Sequence, residues 1–238
     1  GNLLNIDCSS FVGRYPIPMR HGLTIGELAI LFNTHFGIGC DLEVVCMQGW
    51  EREMVFSQTG LPWVAPSPNL PTSASTLVYP GQVIWEGTNI SEGRGTTQPF
   101  ELFGAPFLAP DRLMEKIDAD FSNGAVLRPV EFEPTANKWA GLSCKGFQIH
   151  VTQPAIYSPY ALSLVLYQAI FQTYPDRFAY KQPPYEYEHK RLPMDLILGD
   201  RQIRSQIEAG TPLSDIISGW EARLADYKTI SKEIQIYE

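Results

Sequence analysis

The sequence has no long apolar run. A membrane span needs ~18 consecutive apolar residues. The most apolar stretch, residues 160–171, is interrupted by Ser163 and Gln168 and reads as a buried helix. Positive charge is scarce, with 18 Lys and Arg against 26 Asp and Glu, a net charge of −8. That balance excludes a nucleic-acid surface, which needs clustered cations to displace phosphate counterions. There is no C-x-x-C pair among Cys8, Cys40, Cys46 and Cys144. Their even number leaves disulfides open, but buried free thiols are the favoured reading. There is no H-E-x-x-H, and His21, His35, His150 and His189 lack metal-ligand spacing, so no metal is expected. No G-x-S-x-G elbow marks a serine hydrolase. Gly87 and Gly93 have P-loop spacing, but Arg94 stands where Lys is required, and Gly93-x-Gly95 lacks a third glycine. No cofactor is expected. The opening GNLLNIDCSS lacks the basic region of a signal peptide, which leaves a cytosolic protein or one whose leader has been removed.

What is present is shape-forming and aromatic. There are 19 glycines and 19 prolines, with 12 Phe, 11 Tyr and 5 Trp spread among them, which implies shaped loops over a real core and not disorder. Thr24 and Glu27 form a capping-box pattern that opens a helix. Residues 42–47 (LEVVCM) and 82–85 (QVIW) read as strands. Between them Pro62, Pro66, Pro68 and Pro71 enforce extended backbone. A short helix or turn is expected over 73–79, a loop or short strand over 99–108 and a helix over 110–121. Strands follow at 126–132 and 144–151, and helices at 158–174 and 201–209. A last helix starts at Thr211-Pro212 and reaches about Ser231, and the final six residues suit a strand. The fold class is mixed α/β. A soft boundary divides a loop-rich front part, residues 1–125, from a more regular part, 126–238, that packs on it.

The polar loop after residue 85 is the most informative feature. It concentrates Glu86, Asn89, Ser91, Glu92, Arg94 and Thr96, donors and acceptors in mixed array, as a polyhydroxylated or amide-bearing ligand requires. The competing reading is a structural turn in which Arg94 pairs with a local carboxylate. His21, in Arg20-His21-Gly22 before the capped helix, suits acid, base or hydrogen-bond duty, or is a histidine satisfied by capping. Glu27 is explained by its cap, while Glu86 and Glu92 are placed for a cleft; glycosidases usually need two carboxylates. Trp50, Trp63, Tyr79 and Trp85 offer faces for sugar C–H patches, or belong to the core.

Several long motifs together resemble a known family. FVGRYPIPMRHGLTIGELA (residues 11–29), MQGWER (47–52), TGLPWVAPSPNLPT (59–72) and YPGQVIWEGTNISEGRGTTQPFELFGAPF (79–107) are similar to the exo-β-N-acetylmuramidases of the NamZ type. GFQIHVT (146–152), YPDRF (174–178) and DRQIRSQIEAG (200–210) extend the likeness over nearly the whole chain. The resemblance implies a peptidoglycan-degrading glycosidase that removes terminal N-acetylmuramic acid from the non-reducing end of glycan fragments. It implies a two-domain enzyme with a Rossmann-like N-terminal domain and a cleft between the domains. This chain then corresponds to the C-terminal portion, with the N-terminal domain and its leading catalytic glutamates missing, and is expected to be inactive or nearly so alone.

By the same resemblance, His21 and Tyr79 line the cleft and Glu86 joins His21 as a catalytic candidate. Arg20 or Arg94 pairs with the lactyl carboxylate. Asn89, Ser91, Glu92 and Thr96 bind the sugar, with Trp50 and Trp63 as stacking candidates. The implied location is periplasmic or extracellular, and the implied partners are fragments ending in N-acetylmuramic acid and the missing domain. A non-catalytic cell-wall binding module is the alternative.

Overall fold

The computed structural model describes residues 1–238, with Ala119 described by its backbone alone. Helix α1 (Ile25–Thr34) begins as its sequence dictates: Thr24 accepts the Glu27 N–H, and Glu27 reaches back to the Thr24 N–H at 2.7 Å. Helix α2 (Ser73–Gln82) is capped by Thr72 and contains Pro80. It runs directly into a 3-10 turn, Val83–Gly87. Residues 82–85 are therefore helical and not a strand. A three-residue apolar run after Gln82 carries no usable periodicity, and here burial on every side is met by a helix end.

The sheet is small and antiparallel. Its strands β1 (Leu102–Ala105), β2 (Ala125–Phe132) and β3 (Cys144–Val151) lie in the order β1-β3-β2. The register sets Phe103 opposite Phe147 and Leu127 opposite Ile149. Between β1 and β2, helix α3 covers Pro110–Met114 alone, and a separate 3-10 turn occupies Ala119–Ser122, so the helix expected over 110–121 is broken in two. Residues 42–47 form no strand, since among the described residues no strand pairs with them and Val45, Cys46 and Met47 face solvent.

Helix α4 (Pro159–Thr173) is buried on nearly every side, as its mostly apolar sequence requires. It packs against α2, which also meets β3. Trp85 stacks on Phe103 at 5.4 Å, and its indole N–H is satisfied by Gln82, which in turn donates to Ser163 on α4. Trp85 thus belongs to the core. Three helices close the chain: α5 (Pro193–Leu198), α6 (Arg201–Glu208) and α7 (Leu213–Ile234). Pro212, and not Thr211, occupies the cap position of α7, and the helix runs past Ser231. The last residues form no strand. They dock on α1, where the Ile236 N–H donates to Glu27 at 2.9 Å. Helix α7 ties two cores together. Leu213, Ile216 and Trp220 join the main one, and Tyr227 and Ile234 form a smaller one with Leu23 and Leu31. All four cysteines are free; Cys8 and Cys144 are buried, while Cys40 and Cys46 are exposed.

Candidate active site

A cavity of about 520 Å³ opens where the two cores meet. Its walls come from the N-terminal segment, from Phe32 on α1, Tyr79 on α2, Tyr160 on α4 and the C-terminal end of α5 with its cap Gly199. The N-terminal segment is pinned there. Tyr160 donates to Asn2 at 2.9 Å, Asn2 donates to the Leu198 carbonyl at 2.9 Å, and the Asn5 N–H donates to the Gly199 carbonyl at 2.7 Å.

His21 and Tyr79 both line this cavity. They are 58 positions apart in sequence, and the fold brings them to one cavity. The His21 imidazole is held from behind. Its Nδ1 accepts the Leu23 N–H at 3.1 Å, and its backbone carbonyl accepts the Tyr227 hydroxyl at 2.8 Å. The capping bond fixes the neutral tautomer with its proton on Nε2, and burial pushes the pKa below the ordinary histidine value. The reading of His21 as a histidine satisfied by a local backbone hydrogen bond describes Nδ1. Tyr79 sets its ring edge-on to Phe100 at 4.8 Å. Its phenol pKa is raised, by burial first and then by the Glu86 charge, so the hydroxyl stays a proton donor.

Behind Tyr79 lies an ionic cluster built on the polar loop. Arg94 pairs with Glu86 and, at 3.1 Å, with Glu92, and its guanidinium lies over Phe100 at 5.3 Å. Burial works against the charge on Arg94, but the two carboxylates outweigh it and raise its pKa. Lys138 reaches in from the β2–β3 connection. It donates to Glu92 at 2.7 Å and to the carbonyls of Trp85 and Ile90 at 2.7 and 3.0 Å. Burial lowers the Lys138 pKa, while Glu92 opposes that shift. Tyr185 donates to the second oxygen of Glu86 at 2.9 Å. Burial and that neighbouring carboxylate raise the Tyr185 pKa far above its usual value.

The rest of the loop is spent on its own fold. The Asn89 side chain donates to the Arg177 carbonyl at 2.8 Å and accepts the Ala179 N–H at 3.0 Å. The Ser91 hydroxyl accepts the Gly93 N–H at 3.2 Å, and Ser91 is buried. The Thr96 hydroxyl donates to the Gly93 carbonyl at 2.6 Å and accepts the Gln98 N–H. Gly93 has φ +75, and a Cβ there would lie 2.7 Å from the Leu102 carbonyl oxygen, so no other residue fits this turn. The structural-turn reading thus describes Asn89, Ser91 and Thr96, and the predicted pairing of Arg94 with a local carboxylate is met twice over.

The remaining sequence candidates lie apart from the cavity lining. Arg20 is exposed and donates to the Tyr157 carbonyl at 3.3 Å. Trp50 sits edge-on to Tyr237 at 5.1 Å, and Trp63 edge-on to Phe56 at 4.9 Å. Arg14, Tyr160, Lys138 and Tyr185 were missed by sequence reasoning. The first two line the cavity and the last two brace the cluster. Arg14 stands in the quoted GRYP string, which was the one available signal for it. Among the described residues no group of His, Cys, Asp and Glu could hold a metal ion.

The fold and site define a mixed α/β protein with a cavity that presents a protonated phenol and a neutral imidazole. Residues 77–237 match the model of the C-terminal part of exo-beta-N-acetylmuramidase NamZ, and residues 1–74 match that of its N-terminal part. The chain belongs to the NamZ exo-β-N-acetylmuramidase family. The expectation that the chain holds none of the family's N-terminal part is corrected to that extent: the segment before α2 matches that part. The chain is 43% identical over 237 residues to the peptidoglycan beta-N-acetylmuramidase NamZ of Bacillus subtilis (strain 168), covering all of this chain and 55% of that protein. It therefore spans little more than half the length of that relative. Two crystal structures of DUF1343 family proteins from Bacteroides fragilis NCTC 9343 share its fold. One has a TM-score of 0.87 at 28% identity and the other 0.69 at 22%; each match covers all of this chain and 62% of that protein.

Proposed function

We propose that this protein is a peptidoglycan-degrading glycosidase that removes terminal N-acetylmuramic acid from the non-reducing end of glycan fragments, and that these residues form its substrate-binding part. The supporting observation is the cavity whose lining includes both His21 and Tyr79, carried by two of the family-like motifs. The His21 Nε2–H and the Tyr79 hydroxyl donate to a bound sugar, or hold a reacting oxygen. The Glu86 carboxylate pairs with Arg94 and accepts the Tyr185 hydroxyl, and it orients the cluster behind Tyr79. Arg20, which no carboxylate engages among the described residues, serves the lactyl carboxylate better than Arg94, which two glutamates already occupy. The reading keeps a two-domain enzyme with its cleft between the domains, and assigns the acid/base carboxylates to family length that this chain does not span. It places the protein where peptidoglycan is, in the periplasm or outside the cell.

One observation favours a second reading. No Asp or Glu lines the 520 Å³ cavity, which suits a cell-wall binding module. The two are separated by incubating the full-length protein with a chromogenic β-N-acetylmuraminide. Release of N-acetylmuramic acid supports the glycosidase, and muropeptide binding without turnover supports the module.

A further inference from the structure

Two hairpin tips meet beside the cavity. Ser10 and Gly13 exchange backbone hydrogen bonds of 2.8 and 3.3 Å, which puts Phe11 and Val12 at one tip. Tyr185 and Glu188 exchange bonds of 2.8 and 2.9 Å, which puts Glu186 and Tyr187 at the other. The second tip is chemically unusual. Its two central residues have φ +44 and +66. A two-residue turn with positive φ at both positions ordinarily takes Asn-Gly. A bulky residue in the left-handed region is strained, and such strain persists where function holds it.

Burial does not offset that strain. Tyr187 is 80% exposed and Phe11 is 60% exposed. Their rings meet edge to face at 5.0 Å, which leaves ring surface open to solvent. The two tips border a groove of about 740 Å³ whose polar rim includes Ser9, Arg14 and the Glu188–Arg191 ion pair. Phe11, Arg14 and Tyr15 line both this groove and the 520 Å³ cavity, so the two spaces adjoin.

We propose that Phe11 and Tyr187 form a stacking platform for the second sugar unit of a glycan whose terminal unit occupies the 520 Å³ cavity. The proposal rests on the glycan-binding reading above. A pyranose presents a C–H face and a hydroxyl rim. The open aromatic surface takes the face, and the charged and hydroxyl groups around the groove take the rim. The platform makes the protein prefer chains over single sugars.

The test uses the full-length protein with two probes, a chromogenic N-acetylmuraminide and a tetrasaccharide ending in N-acetylmuramic acid. Tyr187→Gly removes the ring and relieves the backbone, and Tyr187→Trp keeps an aromatic face. Tyr187→Gly is expected to keep or raise the thermal midpoint. It raises the tetrasaccharide KM about fivefold and leaves kcat and the monosaccharide KM unchanged, and Tyr187→Trp restores the KM. An unchanged tetrasaccharide KM in Tyr187→Gly overturns the platform. If the wild type turns over neither probe, the glycosidase reading fails separately, and tetrasaccharide affinity by calorimetry decides the platform. Weakened binding in Tyr187→Gly supports it, and equal or absent binding in both proteins overturns it.

Discussion

Tyr185 donates its hydroxyl to Glu86 at 2.9 Å across 99 positions of sequence. The bond joins the loop before α5 to the polar loop after α2, and it leaves Glu86 with two donors, since Arg94 takes the other oxygen. Tyr185→Phe removes one donor and leaves the ring in place. The expected cost is about 2 kcal/mol, the range for a hydrogen bond to a charged group. Denaturant unfolding measures it, and a variant as stable as the wild type contradicts the bracing role.

Lys138 is the interior counter-charge of Glu92, which is almost fully buried. Lys138→Ala leaves Glu92 with Arg94 as its one ion-pair partner among the described residues and removes a donor from the Trp85 and Ile90 carbonyls. Breaking a buried pair by removing one side costs about 3 kcal/mol. A thermal midpoint within a degree of the wild type runs against this account.

Arg94 holds two carboxylates at once, Glu86 and Glu92. Arg94→Lys keeps the charge but loses the planar fork that serves both. Under the proposed function, both Arg94→Ala and Arg94→Lys lower kcat/KM by roughly tenfold or more, a loss of about 1.4 kcal/mol in transition-state stabilisation. Full rescue by lysine would show that charge alone matters there.

Burial lowers the His21 pKa below 6.5. The folded state therefore favours the neutral imidazole. Its contribution to stability is fully present above the ordinary value and is lost as pH falls through the lower folded value. An NMR titration of the His21 ring protons is expected to give a midpoint below 6.5. A midpoint at or above that value means the imidazole is not held as described.

The parts of the fold that were legible from sequence are those set by local chemistry. The Thr24–Glu27 box opens α1 at the expected residue, and the mostly apolar stretch of α4 is a buried helix. The strands at 126–132 and 144–151 also form where their patterns place them. What was not legible depends on partners distant in sequence. Residues 42–47 have strand composition but no strand beside them among the described residues, and residues 82–85 are buried and close a helix. The site divides the same way. The Arg94 pairing lies within one loop and was legible. Lys138 and Tyr185 reach that loop from 46 and 99 positions away, with no local pattern to mark them.

The account's central claim is that the cavity shared by His21 and Tyr79 binds the sugar that is removed. The most direct measurement is release of N-acetylmuramic acid from a chromogenic N-acetylmuraminide by the full-length protein and its Tyr79→Phe variant. That variant keeps the ring against Phe100 and loses the hydroxyl alone. The account predicts release by the wild type and a loss in kcat/KM of about tenfold in the variant, the scale of one hydrogen bond to a reacting or charged group. Equal activity in the two proteins, with the wild type active, would contradict it.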